Sequence, residues 1–249
     1  ITVDLYFAGA DGVFQSNELL APLLSTTTSN GGFYVFDNLA AGTYRLRFGN
    51  TDGSTTYALT TQNSPMATDV TDSDVSAGNG FSGNYILGLG ESNTTVDAGL
   101  YRPVSLGDRI YFDYDGDGVQ DTGEPGLPNM PVEVIWLGPD GLLGGGDDRT
   151  YTTATGTDGT WSIDDLPPGS YLVTATPAPG SGLAVTDSMD NALLDPTSQV
   201  TISTVSGADR ADIDFGFRGT GSVGDTIWND RNGNGVQEPG EPGIGGVTV

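Results

Sequence analysis

Asp113, Asp115 and Asp117 alternate with Tyr114, Gly116 and Gly118 at the head of the stretch DYDGDGVQDTGEPG, residues 113–126. Short carboxylates spaced two apart, with a glycine behind them for a sharp turn, can converge on a hard divalent cation. With Asp113 as position 1, Asp115 and Asp117 fall at 3 and 5 and Gly118 at 6. Val119 then offers its carbonyl at 7, Asp121 stands at 9 and Glu124 at 12. These are the ligand types and spacings of a seven-oxygen calcium site of the EF-hand kind. Proline and glycine follow where an EF-hand would start its second helix.

The same grammar returns in Asp230, Asn232, Asn234, Gly235, Val236, Glu238 and Glu241, each 117 residues after its counterpart. Two aspartates have become asparagines, which keep an oxygen ligand but lower the charge, so this second site is expected to bind calcium more weakly. A solvated acidic turn is the competing account of one such loop. Agreement over twelve positions in two copies favours the metal.

Other acids cluster less specifically. Asp140, Asp147 and Asp148 lie in GPDGLLGGGDD, and Asp11 and Glu18 occupy the counterpart GADGVFQSNE. Asp69, Asp72 and Asp74 in TDVTDSDV, and Asp187, Asp190 and Asp195 in TDSMDNALLD, fall at similar places in the repeat. For all of these, metal binding stands beside plain Asx-turn chemistry.

The elements that must position these loops repeat as well. Residues 105–132 match 222–249 at an offset of 117, and residues 27–48 match 154–175 at an offset of 127. The chain is therefore a tandem array of modules a little under 120 residues long. In the central module the alternation predicts strands near 106–112, 131–137, 150–155, 159–164, 169–176, 198–204 and 211–217. About seven short strands without helical periodicity indicate an all-β fold of tandem immunoglobulin-like β-sandwich modules. Tyr44, Tyr171, Trp161 and Trp228 fall inside strand patterns and are expected to pack in cores rather than to stack on sugars. The division expected is 1–103, a module lacking its first strand and calcium loop; 104–220, a complete module; and 221–249, the first strand and loop of a third. Two readings of that permuted order stay open: excision from a longer array, or completion of one copy's first sandwich by the last strand of another.

Composition narrows the chemistry. The chain has 249 residues, 33 acids against 8 basic residues and a net charge of −25. Only six of the acids are glutamates, and every basic residue is arginine. The aspartate bias suits loops and oxygen-ligand sites. The field repels nucleic acid and anionic membrane surfaces, and no apolar run is long enough to span a bilayer. Cysteine and histidine are both absent, which removes disulfides, ordinary zinc sites and Ser-His or Cys-His nucleophile pairs. Carboxylate pairs such as Asp147/Asp148 or Asp164/Asp165 arise by chance in so acidic a chain, and the expectation is that the protein is not an enzyme.

The Asp-Gly-rich loop, GEPG, VDAGLYRP and LPPGSY together resemble the B repeats of serine-aspartate-repeat surface adhesins, whose fold is related to the collagen-adhesin B domain. The resemblance covers nearly the whole chain. It implies modules on a bacterial surface, rigidified by calcium and acting as a stalk between the cell and a terminal binding domain. It also implies that the EF-hand-like loop lies between strands, with Asp113, Asp115, Asp117, Val119, Asp121, Glu124 and their 230–241 counterparts as ligands. Related surface domains lock themselves with a lysine–asparagine isopeptide bond. Without lysine that crosslink cannot form here, and calcium or packing must supply the rigidity.

The expected role is thus an extracellular, cell-surface or cell-wall structural segment. Its partners would be neighbouring modules or copies of itself, with calcium pinning the linker RPVSLGD at residues 102–108. The alternative is an adhesin module gripping a protein or glycan, although no exposed aromatic cluster or basic pocket marks a ligand site in the sequence.

Overall fold

A computed structural model describes residues 1–29, 31–64, 68, 70–188 and 198–248. Those residues form fourteen strands and no helix. In chain order they are β1 (Thr2–Phe7), β2 (Leu24–Thr27), β3 (Gly42–Phe48), β4 (Ala58–Leu59), β5 (Tyr85–Leu87), β6 (Leu100–Tyr101) and β7 (Val104–Phe112). They continue with β8 (Pro131–Trp136), β9 (Arg149–Ala154), β10 (Thr160–Leu166), β11 (Ser170–Ala175), β12 (Leu183–Ser188), β13 (Gln199–Ser203) and β14 (Phe215–Gly219).

Residues 104–219 fold as two four-stranded sheets, ordered β10-β7-β14-β12 and β13-β11-β8-β9. Alternation dictates which residues lie between them. Val132, Val134 and Trp136 of β8 and Tyr171, Val173 and Ala175 of β11 turn inward to meet Leu106, Ile110, Phe215 and Phe217 from the other sheet. Trp161, Leu166 and Ile202 are buried in the same core. The chain is all-β, and this stretch is an immunoglobulin-like sandwich. All neighbouring strands pair antiparallel except β14, which lies parallel to β7 with Phe215 beside Ile110 and Phe217 beside Phe112.

Two sequence readings shift. β12 was not expected, because a bulge between Val185 and Asp187 breaks its period-two pattern. The strand expected over 211–217 begins its ladder only at Phe215. Upstream, this segment meets β7 through single backbone bonds, Gly107 N to Arg210 O and Ile213 N to Gly107 O.

The first stretch builds a sheet β2-β1-β3-β5 and the small pair β4-β6. Val3, Leu5, Tyr44, Leu46, Phe48 and Val75 form its core. Residues 33–39 are the repeat counterpart of β10, yet they form no ladder; β10 pairs with β7, and nothing described in residues 1–101 stands in β7's place. Tyr34, Phe36 and Leu39 still pack on the core, whereas Phe33 and Val35 face outward.

The recurring LAAGTY and LPPGSY motifs have one physical cause. The Tyr44 hydroxyl donates to Ala40 O at 2.8 Å, and the Tyr171 hydroxyl donates to Pro167 O in the same manner. At Gly169 a Cβ would come within 2.7 Å of Trp136 Nε1, so only glycine lets the indole lie over the turn. Tyr44, Tyr171 and Trp161 are core residues, as expected, while Trp228 is only half buried.

Candidate metal loop

The loop leaves β7 after Phe112 and returns through Pro125 and Gly126. It closes locally: Phe112 N donates to Pro125 O (2.8 Å) and Leu127 N to Ile110 O (2.8 Å). Inside the turn, Asp113 Oδ1 accepts from Gly116 N (2.6 Å) and Oδ2 from Gly118 N (3.0 Å). Asp115 Oδ1 accepts from Asp117 N, and Asp117 Oδ1 from Val119 N. Glu124 spans the mouth, accepting from Tyr114 N at Oε1 (2.8 Å) and from Asp121 N at Oε2 (2.9 Å).

Each carboxylate is thereby aimed by a backbone amide, and one oxygen from each of Asp113, Asp115 and Asp117 lies within 4.8 Å of the others. That set could hold a metal ion. Asp113 and Glu124 are buried, while Asp115 and Asp117 face solvent. Hard carboxylate oxygens suit calcium better than softer metals.

The charges are uneven. Burial pushes the Asp113 carboxyl up, but the Thr186 hydroxyl and the amides of Gly118 and Gly116 outweigh it and hold its pKa below the ordinary value. For Asp115 the Asp117 amide lowers the pKa. Burial and the neighbouring charges of Asp117, Asp113 and Asp121 together raise it more, and it ends above the usual carboxylate value. A cation would relieve that repulsion.

Sequence reasoning did not find the residues that seat the loop. Arg109 donates from Nε to Asp158 O (3.0 Å) and from Nη2 to Glu124 O (3.3 Å), tying the loop's exit to a neighbouring turn. Gly126 packs so tightly on that turn that a Cβ would stand 1.8 Å from Asp158 O. The alternation of charge and apolar residues in SLGDRIYF placed Arg109 on a strand but gave no sign of its partner.

The position of the loop corrects one expectation. It sits at the end of β7 remote from Val104, where Asp113 N donates to Phe217 O (2.9 Å) and Gly116 lies against the Arg218 guanidinium. It therefore adjoins the exit of its own module, at residues 217–219, rather than the linker 102–108. A strand of nine residues separates the two ends.

The second loop repeats the backbone pattern. Asp230 accepts from Gly233 N (2.6 Å), Asn234 N (3.2 Å) and Gly235 N (2.7 Å), and the Gly235 amide is the chief cause that lowers its pKa. Asn232 Oδ1 accepts from Asn234 N, Asn234 Oδ1 from Val236 N, and Glu241 bridges Arg231 N and Glu238 N. Here, however, Asn232 Nδ2 and Asn234 Nδ2 donate to the two oxygens of Glu238, at 2.7 and 2.9 Å.

The weaker candidates are held in several different ways. Asp11 accepts from Val13 N and Gln15 Nε2, and Glu18 from Gln15 N. Asp140 accepts from Leu142 N, and Asp148 Oδ2 from Gly144 N, while Asp148 Oδ1 is enclosed without a partner and Asp147 lies against Gly138. Asp74 Oδ2 accepts from Asp97 N, and Asp72 Oδ1 is enclosed without a partner. Asp187 pairs through its backbone with Gly216. Asp69, Asp190 and Asp195 lie outside the described residues.

Residues 13–100, 104–217 and 221–249 match the model of a family described as the SdrD B-like domain. Over 227 residues the chain is 33% identical to Colossin-A of Dictyostelium discoideum, covering 91% of this chain and 2% of that protein. It is 31% identical over 234 residues to the serine-aspartate repeat-containing protein F of Staphylococcus epidermidis, covering 91% of this chain and 13% of that protein. The chain thus spans a small part of these relatives. Among solved structures, the minor pilin GBS52 of Streptococcus agalactiae aligns over 91% of this chain and 85% of its own, at 12% identity and a TM-score of 0.33.

Proposed function

Because the chain belongs to the SdrD B-like domain family, we propose that it is a calcium-stabilised stalk segment of a cell-surface protein, structural rather than enzymatic. The observation that carries the calcium reading is the meeting of Asp113, Asp115 and Asp117 within 4.8 Å, with Glu124 closing the loop. In this reading the ligands are those three carboxylates with the Val119 carbonyl, Asp121 and Glu124, and their counterparts at 230–241. The modules divide at 1–103, 104–220 and 221–249.

Calcium bound at residues 113–124 would join the end of β7 to the end of β14, at the exit of the same module, because the loop touches Phe217 and Arg218. Successive modules, or copies joined head to tail, would each be braced at the exit. Extracellular calcium at millimolar levels saturates even sites of about 10⁻⁴–10⁻³ M. At a hundredfold excess over the dissociation constant, one site adds about 2.7 kcal/mol to stability. Thermal melting in calcium and in excess EDTA tests this: a midpoint at least several degrees lower in EDTA is expected, and an unchanged midpoint refutes it.

A further inference from the structure

The outer face of the sheet β2-β1-β3-β5 carries a feature that the calcium reading does not use. Arg45 and Arg47 alternate on β3 with the core residues Tyr44, Leu46 and Phe48, so both point away from the core. The Arg45 guanidinium lies over the rings of Phe14 (5.0 Å) and Phe81 (6.0 Å), and that of Arg47 over Phe81 (5.6 Å). Tyr6, opposite Arg45 in register, packs its ring on Phe81 at 5.5 Å. Residues distant in sequence thus assemble a basic aromatic face that no single stretch of sequence displays.

Neither arginine forms an ion pair among the described residues; the one ion pair there is Arg210 with Asp212, at 2.6 Å. The acid opposite Arg47, Asp4, instead accepts from Ser25 Oγ at 2.6 Å. Arg45 donates from Nε to Asn84 Oδ1, a neutral acceptor. In a chain with 33 acids and 8 arginines, two arginines at alternate positions of one strand, neither in an ion pair among the described residues, stand out. The other sandwich has the same register without the charge: Leu172 faces Ile135, and Thr174 faces Glu133.

We propose that this face docks an extended acidic polypeptide segment whose carboxylates recur at alternate residues. Arg45 and Arg47 are two residues apart on one strand, so their side chains start about 6.7 Å apart, the pitch of alternate residues in any extended peptide. A guanidinium stacked on a ring keeps its N–H edge free for a carboxylate, and the stack holds it in place. The same stacking covers the Phe14 and Phe81 rings, which leaves them closed to a pyranose ring. Charge and spacing together favour an acidic peptide over an acidic glycan. This surface is separate in sequence from the calcium loops at 113–124 and 230–241, although Phe14 lies between Asp11 and Glu18.

The test uses the full chain at low ionic strength and a fluorescent Thr-Asp repeat octapeptide, with a Thr-Asn repeat as control. Anisotropy should show binding of the acidic peptide alone, weakened at least tenfold in R45Q/R47Q and unchanged in R231Q. Amide chemical-shift changes on adding the peptide to the unaltered protein should centre on residues 4–6, 45–47 and 81–84, which keeps the test decisive if R45Q/R47Q does not fold. R45K/R47K, which keeps the charge but loses the planar fork, should bind several-fold more weakly. Absence of binding, equal binding by folded R45Q/R47Q, shift changes elsewhere, or tighter binding of polygalacturonate than of the peptide would each overturn the proposal.

Discussion

The loops at 113–124 and 230–241 share almost every internal hydrogen bond but not their surroundings. In both, the first aspartate caps successive glycine amides, the twelfth-position glutamate bridges two amides, and the return strand closes through equivalent backbone bonds, Leu127 to Ile110 and Ile244 to Ile227. The turn is therefore encoded locally: alternating Asx side chains and glycines fold it without help. What differs is what the loop is fastened to. Arg109 and Gly126 pin the first loop to the turn at 158–159, whereas among the described residues their counterparts Thr226 and Gly243 meet no such neighbour. The interiors differ too. Asn232 and Asn234 satisfy Glu238 with their own amide hydrogens, while Asp115, Asp117 and Asp121 can only repel one another.

The largest effect should come from the seating. Gly126→Ala puts a methyl group 1.8 Å from a backbone carbonyl, where Gly243→Ala meets nothing nearer than 3.8 Å. The first should cost about 3 kcal/mol and the second under about 0.5 kcal/mol, read as melting midpoints by calorimetry. Equal effects would mean that the two loops are seated alike after all.

Exchanging the interiors should come next. D115N/D117N is expected to lower calcium affinity at the first loop by about tenfold or more while raising the melting point of the calcium-free protein. N232D/N234D should do the reverse at the second loop. Calcium titration calorimetry of both variants decides whether charge count or seating sets affinity, and failure of either to shift affinity removes the charge argument.

The smallest expected effect is the response to acid. Asp113 has a folded pKa below its ordinary value, so its contribution to stability is complete above about pH 4 and fades as pH falls through that lower value. Asp115 has the opposite sign. Its raised pKa means that the ionised form opposes folding at neutral pH, and this opposition disappears on acidification. In EDTA, D113N should flatten the loss of stability below pH 4, and D115N should remove the partial compensation. Melts between pH 6 and pH 3 would show both.

The fold class was legible because inward-facing residues of β8 and β11 alternate without interruption. β12 was not, because its bulge hides the period. Loop ligands could be read from spacing, since the turn is local. Its anchors could not: Arg109 meets Asp158 O, and Gly126 meets the same carbonyl, through a pairing of β7 and β10 that no local pattern announces. The arginine face was missed for a similar reason. Arg45 and Arg47 are adjacent on one strand, but the rings beneath them come from residues 14 and 81.

The parallel pairing of β14 with β7 has a mechanical consequence. Val104 opens β7 at one end of the sandwich, and Gly219 closes β14 at the other, so tension applied along the chain pulls these neighbours lengthwise past each other. Hydrogen bonds between them would then be loaded together in shear, not peeled open one at a time. The turn at 113–124 sits at the end of that seam, where a tightened loop would resist the first slip.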